Sequence, residues 1–101
     1  MTAGSSNFER VIGIKSLSLH IIGTLVKDAR IDVDPEAVAL LLRQVETNMP
    51  QIMELTDDQF ADKLKSFLGQ ATQYAQNEGM SVIKASYIQR VLKLCKFPPI
   101  C

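Results

Sequence analysis

The sequence predicts an all-α protein, a small bundle of about four principal helices joined by short links. Apolar residues recur with the helical period of 3.6, two helix starts carry capping signals, and strand-like character is confined to Val82-Ile83. The chain has 101 residues, of which 47% are hydrophobic. That length and composition fit one domain with a modest core.

The longest predicted helix begins after Thr56 and ends before Gly79. Thr56 and Gln59 match a capping box, and Gly79 suits the residue just past a helix end. Its apolar residues lie on a single stripe: Phe60, Leu64, Phe67, Leu68, Ala71, Tyr74 and Ala75. One stripe buries one face, so this helix needs other helices, in this chain or in a partner.

Two helices are predicted upstream of Thr56. The first covers residues 7–28, and the pattern leaves open whether Gly13 divides it. The second starts at Asp34-Pro35-Glu36, where an aspartate cap precedes a proline suited to the first helical position. Pro50 either ends this helix or kinks it. Residues 29–33 are predicted to form a connection. Ile52 is predicted to be an apolar anchor in the link that follows Pro50.

The final predicted helix runs from about Lys84 to Lys96, and the Pro98-Pro99 pair prevents its continuation. Residues 7–97 are therefore expected to form a single helical domain. Residues 1–6, which are small and polar, are expected to be a disordered N-terminus, and residues 98–101 a short C-terminal tail.

Charge is balanced overall but unevenly distributed. Residues 31–62 carry eight acidic residues against one basic residue, whereas residues 63–101 carry six basic residues against one acidic residue. Either these are solvated surfaces that attract one another within the fold, or the basic half contacts phosphate or an acidic partner. A net charge of zero argues against strong nucleic-acid binding by this chain alone.

Nothing in the sequence predicts an enzyme, a metal site, a cofactor or a small-molecule substrate. His20 is the only histidine, and it has no ligand partners at metal-binding spacing. Cys95 and Cys101 are too close for a disulfide framework, which favours a reducing, intracellular location in the cytoplasm or nucleus. The apolar runs are too short for a membrane span, so no membrane association is expected.

Residues 71–92 carry small and apolar residues around a Gly79-x-Ser81-Val82-Ile83 loop, followed by Ala85-x-x-Ile88. This stretch, within residues 56–96, resembles the last third of the histone fold, as in kinetochore and transcription-initiation subunits. The resemblance implies that Ile83 is a β-like loop residue, with Ile88 and Leu92 docking the last helix. It also implies an obligate protein partner, a nuclear setting and DNA contact within the complex.

The front half fits the histone fold less closely. A central helix that starts at Asp34 would have to run through Pro50, whereas one that starts near Thr56 would be slightly short. The last helix has Lys84 where the family has a capping Thr or Ser, and Tyr87 where it has Asp. In the histone fold an Arg–Asp contact often ties this loop to the last helix. With Tyr87 in place of Asp, that contact lacks its acidic member here.

The sequence thus predicts a non-enzymatic helical module for protein–protein interaction, a subunit or adaptor of a larger complex. Its apolar helix face would bind a partner protein or a second copy, through these residues: Phe60, Leu64, Phe67, Leu68 and Tyr74. The alternative is a histone-fold-like subunit that heterodimerises and contacts DNA or chromatin within a complex. The candidate nucleic-acid contacts are Lys84, Arg90, Lys93 and Lys96.

Overall fold

The computed structural model describes the backbone of residues 3–95 and the side chains from Phe8 onwards. Four principal helices are present in this range: α1 (Ala3–Ala29), α2 (Pro35–Thr47), α4 (Asp57–Asn77) and α5 (Ala85–Leu94). A one-turn helix, α3 (Met49–Ile52), and two short strands, β1 (Asp32–Val33) and β2 (Val82–Ile83), lie in the links. The prediction of an all-α bundle is confirmed.

Helix α1 is continuous, so Gly13 does not divide it. It begins at Ala3, inside the segment predicted to be disordered, and the side chains of residues 1–7 lie outside the described part. Residues 98–101, predicted to be a tail, also lie outside it. A helix of this length keeps its hydrogen bonds across a glycine because the residue costs only about 1 kcal/mol relative to alanine.

Pro50 separates two helices and does not kink one. Asp34 caps α2 by accepting a hydrogen bond from the Glu36 amide, and Pro35 occupies the first turn, as predicted. The helix ends at Thr47, and Pro50 then lies in the first turn of α3, where its missing N–H breaks no helical hydrogen bond.

Both ends of α4 follow the sequence prediction. The Thr56 hydroxyl accepts from the Gln59 amide at 3.1 Å, and the Gln59 side chain accepts from the Thr56 amide at 3.0 Å. At the other end Gly79 has φ +69°, its amide donates to Gln76, and the next amide donates to Ala75 at 2.9 Å. These two bonds form a Schellman motif, which turns the chain towards β2.

Replacing Gly79 with alanine is expected to destabilise the protein by about 1–2 kcal/mol, because a Cβ is unfavourable at positive φ. Urea denaturation measures the change. Gly69→Ala is the matched control, since Gly69 lies within α4 with open space for a Cβ. There alanine should stabilise by about 0.5–1 kcal/mol. Equal effects at both positions would contradict the Schellman role of Gly79.

The two strands pair in parallel and join the two halves of the chain. Asp32 lies opposite Val82, and Val33 lies opposite Ile83. The Asp32 amide donates to Ser81, and the Asp34 amide donates to Ile83, both at 2.9 Å. The connection predicted at residues 29–33 therefore contains a strand, which adds a non-local backbone contact to the helical bundle.

The core is formed by one face of each principal helix together with the short link elements. Fully or nearly fully buried side chains come from all parts of the chain: Ile14, Ile21, Leu41, Val45, Ile52, Phe60, Phe67, Ile83, Tyr87 and Val91. Ile52 is an anchor, as predicted. The α4 stripe is therefore completed by helices of the same chain, which the sequence pattern had left open.

Two ion pairs connect α1 to the acidic segment. Arg10 pairs with Asp57 at the start of α4 and also donates to the Leu55 carbonyl, while Lys15 Nζ lies 3.3 Å from Glu46 Oε1 on α2. Within the described residues, the acidic segment is thus matched by basic residues of α1, not by those of the C-terminal half. These exposed pairs orient helices more than they stabilise them.

Cys95 takes part in a disulfide, and its partner lies outside the described residues. The expectation that the cysteines stay unbridged is therefore wrong for Cys95. Cys95 follows the last residue of α5 with an extended backbone, φ −128° and ψ 137°, and so leaves the helical path. The cysteine spacing consequently gives no argument for a reducing compartment.

Candidate interaction surfaces

The residues predicted to form a partner interface mostly lie in the core. Four of the five are at most 1% exposed, namely Phe60, Leu64, Phe67 and Leu68. Tyr74 is partly exposed near the C-terminal end of α4. The four buried side chains contact no solvent in the folded chain, because α1 and α5 both pack against α4. In the folded chain these four side chains are therefore not accessible to another protein.

An exposed apolar surface lies on α1. Phe8 is 66% exposed, Ile12 48% and Leu19 49%, and Val26 is partly exposed. Their spacings of four and seven residues place them on one side of the helix. We call these four residues the α1 outer row. This row does not stand out in the sequence, because the same helix also carries the buried apolar row that contains Ile21.

Small residues flank the α1 outer row on its solvent side. Ser16 and Gly23 are both exposed, and a Cβ at Gly23 would meet no atom within 4 Å. Alanine would therefore fit at position 23 and would favour the helix by about 1 kcal/mol. Packing within this chain gives no reason for glycine at this position.

A second cluster, the C-terminal cluster, joins the end of α4 to α5. It consists of Tyr74, Glu78, Tyr87 and Arg90. The Tyr87 hydroxyl donates to Glu78 Oε1 at 2.9 Å, and Arg90 Nη1 donates to Glu78 Oε2 at 2.7 Å. The guanidinium carbon of Arg90 lies 5.7 Å from the Tyr74 ring centre and 5.6 Å from that of Tyr87. These are cation–π distances.

The C-terminal cluster changes the protonation of its members. Hydrogen bonds from Arg90 and then Tyr87 lower the pKa of Glu78 below its ordinary 4.5. Burial, and then the Glu78 carboxylate, raise the pKa of Tyr87 above 10. The arrangement therefore favours the ionised carboxylate and the neutral phenol over a wide pH range.

Stability should fall at both pH extremes because of this cluster. Glu78 stabilises the fold fully above pH 4.5, and its contribution is lost as the pH falls through the lower folded-state pKa. Tyr87 contributes fully below pH 10, and its contribution is lost as the pH rises through the raised pKa. Denaturation midpoints measured from pH 3 to pH 7 should depend less on pH in Glu78→Gln. An unchanged dependence would show that the cluster is not the cause.

The predicted nucleic-acid contacts differ in how exposed they are and in whether a carboxylate matches their charge. Lys84 and Lys93 are exposed and form no ion pair within the described residues. The charge of Arg90 is matched by Glu78, so Arg90 contributes less positive potential than predicted. Lys96 lies outside the described part of the chain.

A cavity of about 270 Å³ lies between α1 and α4. Its wall is mainly apolar and contains one acidic and one basic side chain: Ile21, Thr24, Leu25, Asp28, Lys65 and Leu68. The Thr24 hydroxyl donates to the His20 carbonyl within its own helix. Among these lining residues no nucleophile is paired with a base.

In the part of the chain that the structure describes, His, Cys, Asp and Glu form no group of three or more arranged to hold a metal ion. Comparison of the chain with protein-family models, curated proteins and solved structures gave no match. None of the helices in the described range is both long and apolar enough to cross a bilayer.

Proposed function

We propose that this protein is a non-enzymatic helical module for protein–protein interaction, a subunit or adaptor that binds through the α1 outer row. The observation that carries the proposal is the exposure of Phe8, Ile12 and Leu19 on one side of a continuous helix. Large apolar side chains aligned in this way are typical of surfaces that bury a partner helix. The sequence predicts an intracellular location, in the cytoplasm or nucleus, and this stays a prediction.

Two further features support the proposal. The core is formed by helices of this chain, and the α1 outer row is not needed to complete it. The exposed Gly23 beside it would permit close approach of another backbone, which a large side chain would prevent. Partner binding therefore has a separate surface, and its loss need not unfold the protein.

The test is affinity capture with the tagged wild-type chain and with Leu19→Glu, quantified against Leu94→Glu. Leu94 is 67% exposed on α5 and lies off the α1 outer row, so its substitution makes the same chemical change elsewhere. We expect the bound protein, whether a second copy or another chain, to be lost only with Leu19→Glu. Circular dichroism checks that both variants stay folded. Equal retention by all three chains would reject the α1 outer row as the binding surface.

A second candidate is a histone-fold-like subunit that contacts DNA within a complex. The observation that favours it is the exposure of Lys84, beside the loop in which Ile83 forms part of β2, and of Lys93 in the last turn of α5. The histone resemblance implies a β-like residue at this position and phosphate contacts from the adjacent basic residues. Two exposed lysines that form no ion pair with the described side chains can supply part of a phosphate-binding surface.

Salt-dependent DNA binding by the purified assembly tests this candidate. Lys84→Glu combined with Lys93→Glu should weaken binding and reduce its salt dependence. Lys63→Glu combined with Lys65→Glu provides the same charge change on α4. If the two double variants bind alike, Lys84 and Lys93 are not specific DNA contacts.

A further inference from the structure

We propose that the partner of the α1 outer row is a second copy of this chain, with the two α1 helices antiparallel about a two-fold axis between Leu17 and Ser18. This inference rests on the proposed function and identifies the protein that the α1 outer row binds. It follows from the spacing of the apolar residues, from the size of the residues beside them and from the charges at the two ends of the helix.

The spacing is that of a helix–helix seam. Ile12, Leu19 and Val26 follow one another at intervals of seven residues, Phe8 precedes Ile12 by four, and Lys15 lies between Ile12 and Leu19. This is the heptad pattern by which two helices pack side by side over several turns. Lys15 is the one polar member, and its ammonium is matched by Glu46 on α2 at 3.3 Å. Its aliphatic stem can therefore remain in the seam.

Large and small residues are complementary under the proposed two-fold symmetry. With the axis between Leu17 and Ser18, Ile12 of one copy faces Gly23 of the other, and Leu19 faces Ser16. Each contact occurs twice, as an isologous interface requires. The exposed Gly23, for which the fold of a single chain gives no reason, then receives the Ile12 side chain of the second copy.

Charge favours the antiparallel arrangement over the parallel one. Glu9 and Lys27 are exposed at opposite ends of the row. In an antiparallel pair each Glu9 comes within one residue of the other copy's Lys27. In a parallel pair Glu9 would face Glu9, and Lys27 would face Lys27, which is unfavourable at both ends.

The experiment is light scattering after size exclusion over a series of chain concentrations, which gives both mass and dimer affinity. We expect a wild-type dimer that Leu19→Glu weakens more than tenfold, since it places two carboxylates in the seam. The exposed control Leu94→Glu should dimerise like the wild type. A monomeric wild type at all concentrations overturns the proposal. If a different protein is nonetheless captured through Leu19, the interaction function stands and only the identity of the partner is wrong.

Enlarging the residue at position 23 tests whether the dimer depends on close approach of the two helices or only on the amount of apolar surface. Gly23→Leu adds apolar surface and favours the helix, but it fills the space that receives Ile12. We expect it to weaken the dimer while raising thermal stability, whereas Gly69→Leu, at an equally open glycine of α4, should leave the dimer unchanged. A dimer strengthened by Gly23→Leu would overturn the proposed register.

Charge exchange tests the direction of the helices. Glu9→Lys and Lys27→Glu should each weaken the dimer roughly threefold or more, and the double variant should restore it, because each end again pairs opposite charges. A parallel dimer would show no such restoration. That result would overturn the antiparallel arrangement.

Discussion

Phe67→Ala is expected to destabilise the isolated chain by about 3–5 kcal/mol, enough to unfold a substantial fraction of the protein at 25 °C. Phe67 lies in the middle of α4 and is fully buried. Removing the ring leaves a cavity among helices that all belong to this chain. The stability of a domain of this size is typically only about 5–15 kcal/mol, so the loss is a large part of the total.

Urea denaturation of Phe67→Ala at two protein concentrations measures this effect. Phe8→Ala is the control, because Phe8 is 66% exposed and contributes little to the core of a single chain. It should change the stability by less than about 0.5 kcal/mol at low concentration, where the chain is monomeric. A small effect of Phe67→Ala would mean that α4 is not packed within the chain and would restore the interface predicted from the sequence.

Ile83→Ala is the second large change, with an expected cost of about 2–5 kcal/mol. Ile83 is fully buried in β2, and its carbonyl accepts the Asp34 amide at 2.9 Å. The smaller side chain leaves a void where the two halves of the chain meet. The loss should therefore reach β1 and the start of α2, beyond the loop itself.

Hydrogen exchange locates the effect of Ile83→Ala. The Asp32 and Asp34 amides donate to the carbonyls of Ser81 and Ile83, so their exchange should accelerate most. Val82→Ala is the neighbouring control, since Val82 is only partly buried and alternates to the other face of the strand. If amide exchange accelerates equally in both variants, then burial of the Ile83 side chain contributes nothing beyond the strand propensity of the residue.

The helix boundaries of α2 and α4 were predictable because local chemistry sets them. Asp34, the Thr56–Gln59 pair and Gly79 each satisfy backbone groups within a few residues, and the structure contains each contact. Pro50 was ambiguous in the sequence because a proline fits both a kink and a new first turn. Only the position of α3 decides between them.

Features that depend on distant residues were not predictable from one sequence. Strand β1 has two residues and no alternation to detect, and its partner lies in another part of the chain. Tyr87 is buried because its hydroxyl meets Glu78 and Arg90 stacks near its ring, contacts that periodicity does not reveal. The sequence predicts a partner interface on the α4 stripe for the same reason, because an apolar face does not specify whether a helix of the same chain or of a partner covers it.

The pairing of β1 with β2 also has a consequence for the folding rate. Asp32 and Val82 are about fifty residues apart, so their contact closes a long loop and loses chain entropy before it gains stability. The helical turns and the α4–α5 hairpin are local and can form first. We therefore expect the transition state for folding to lack this sheet. Substitutions in β2 should then accelerate unfolding while leaving the folding rate nearly constant.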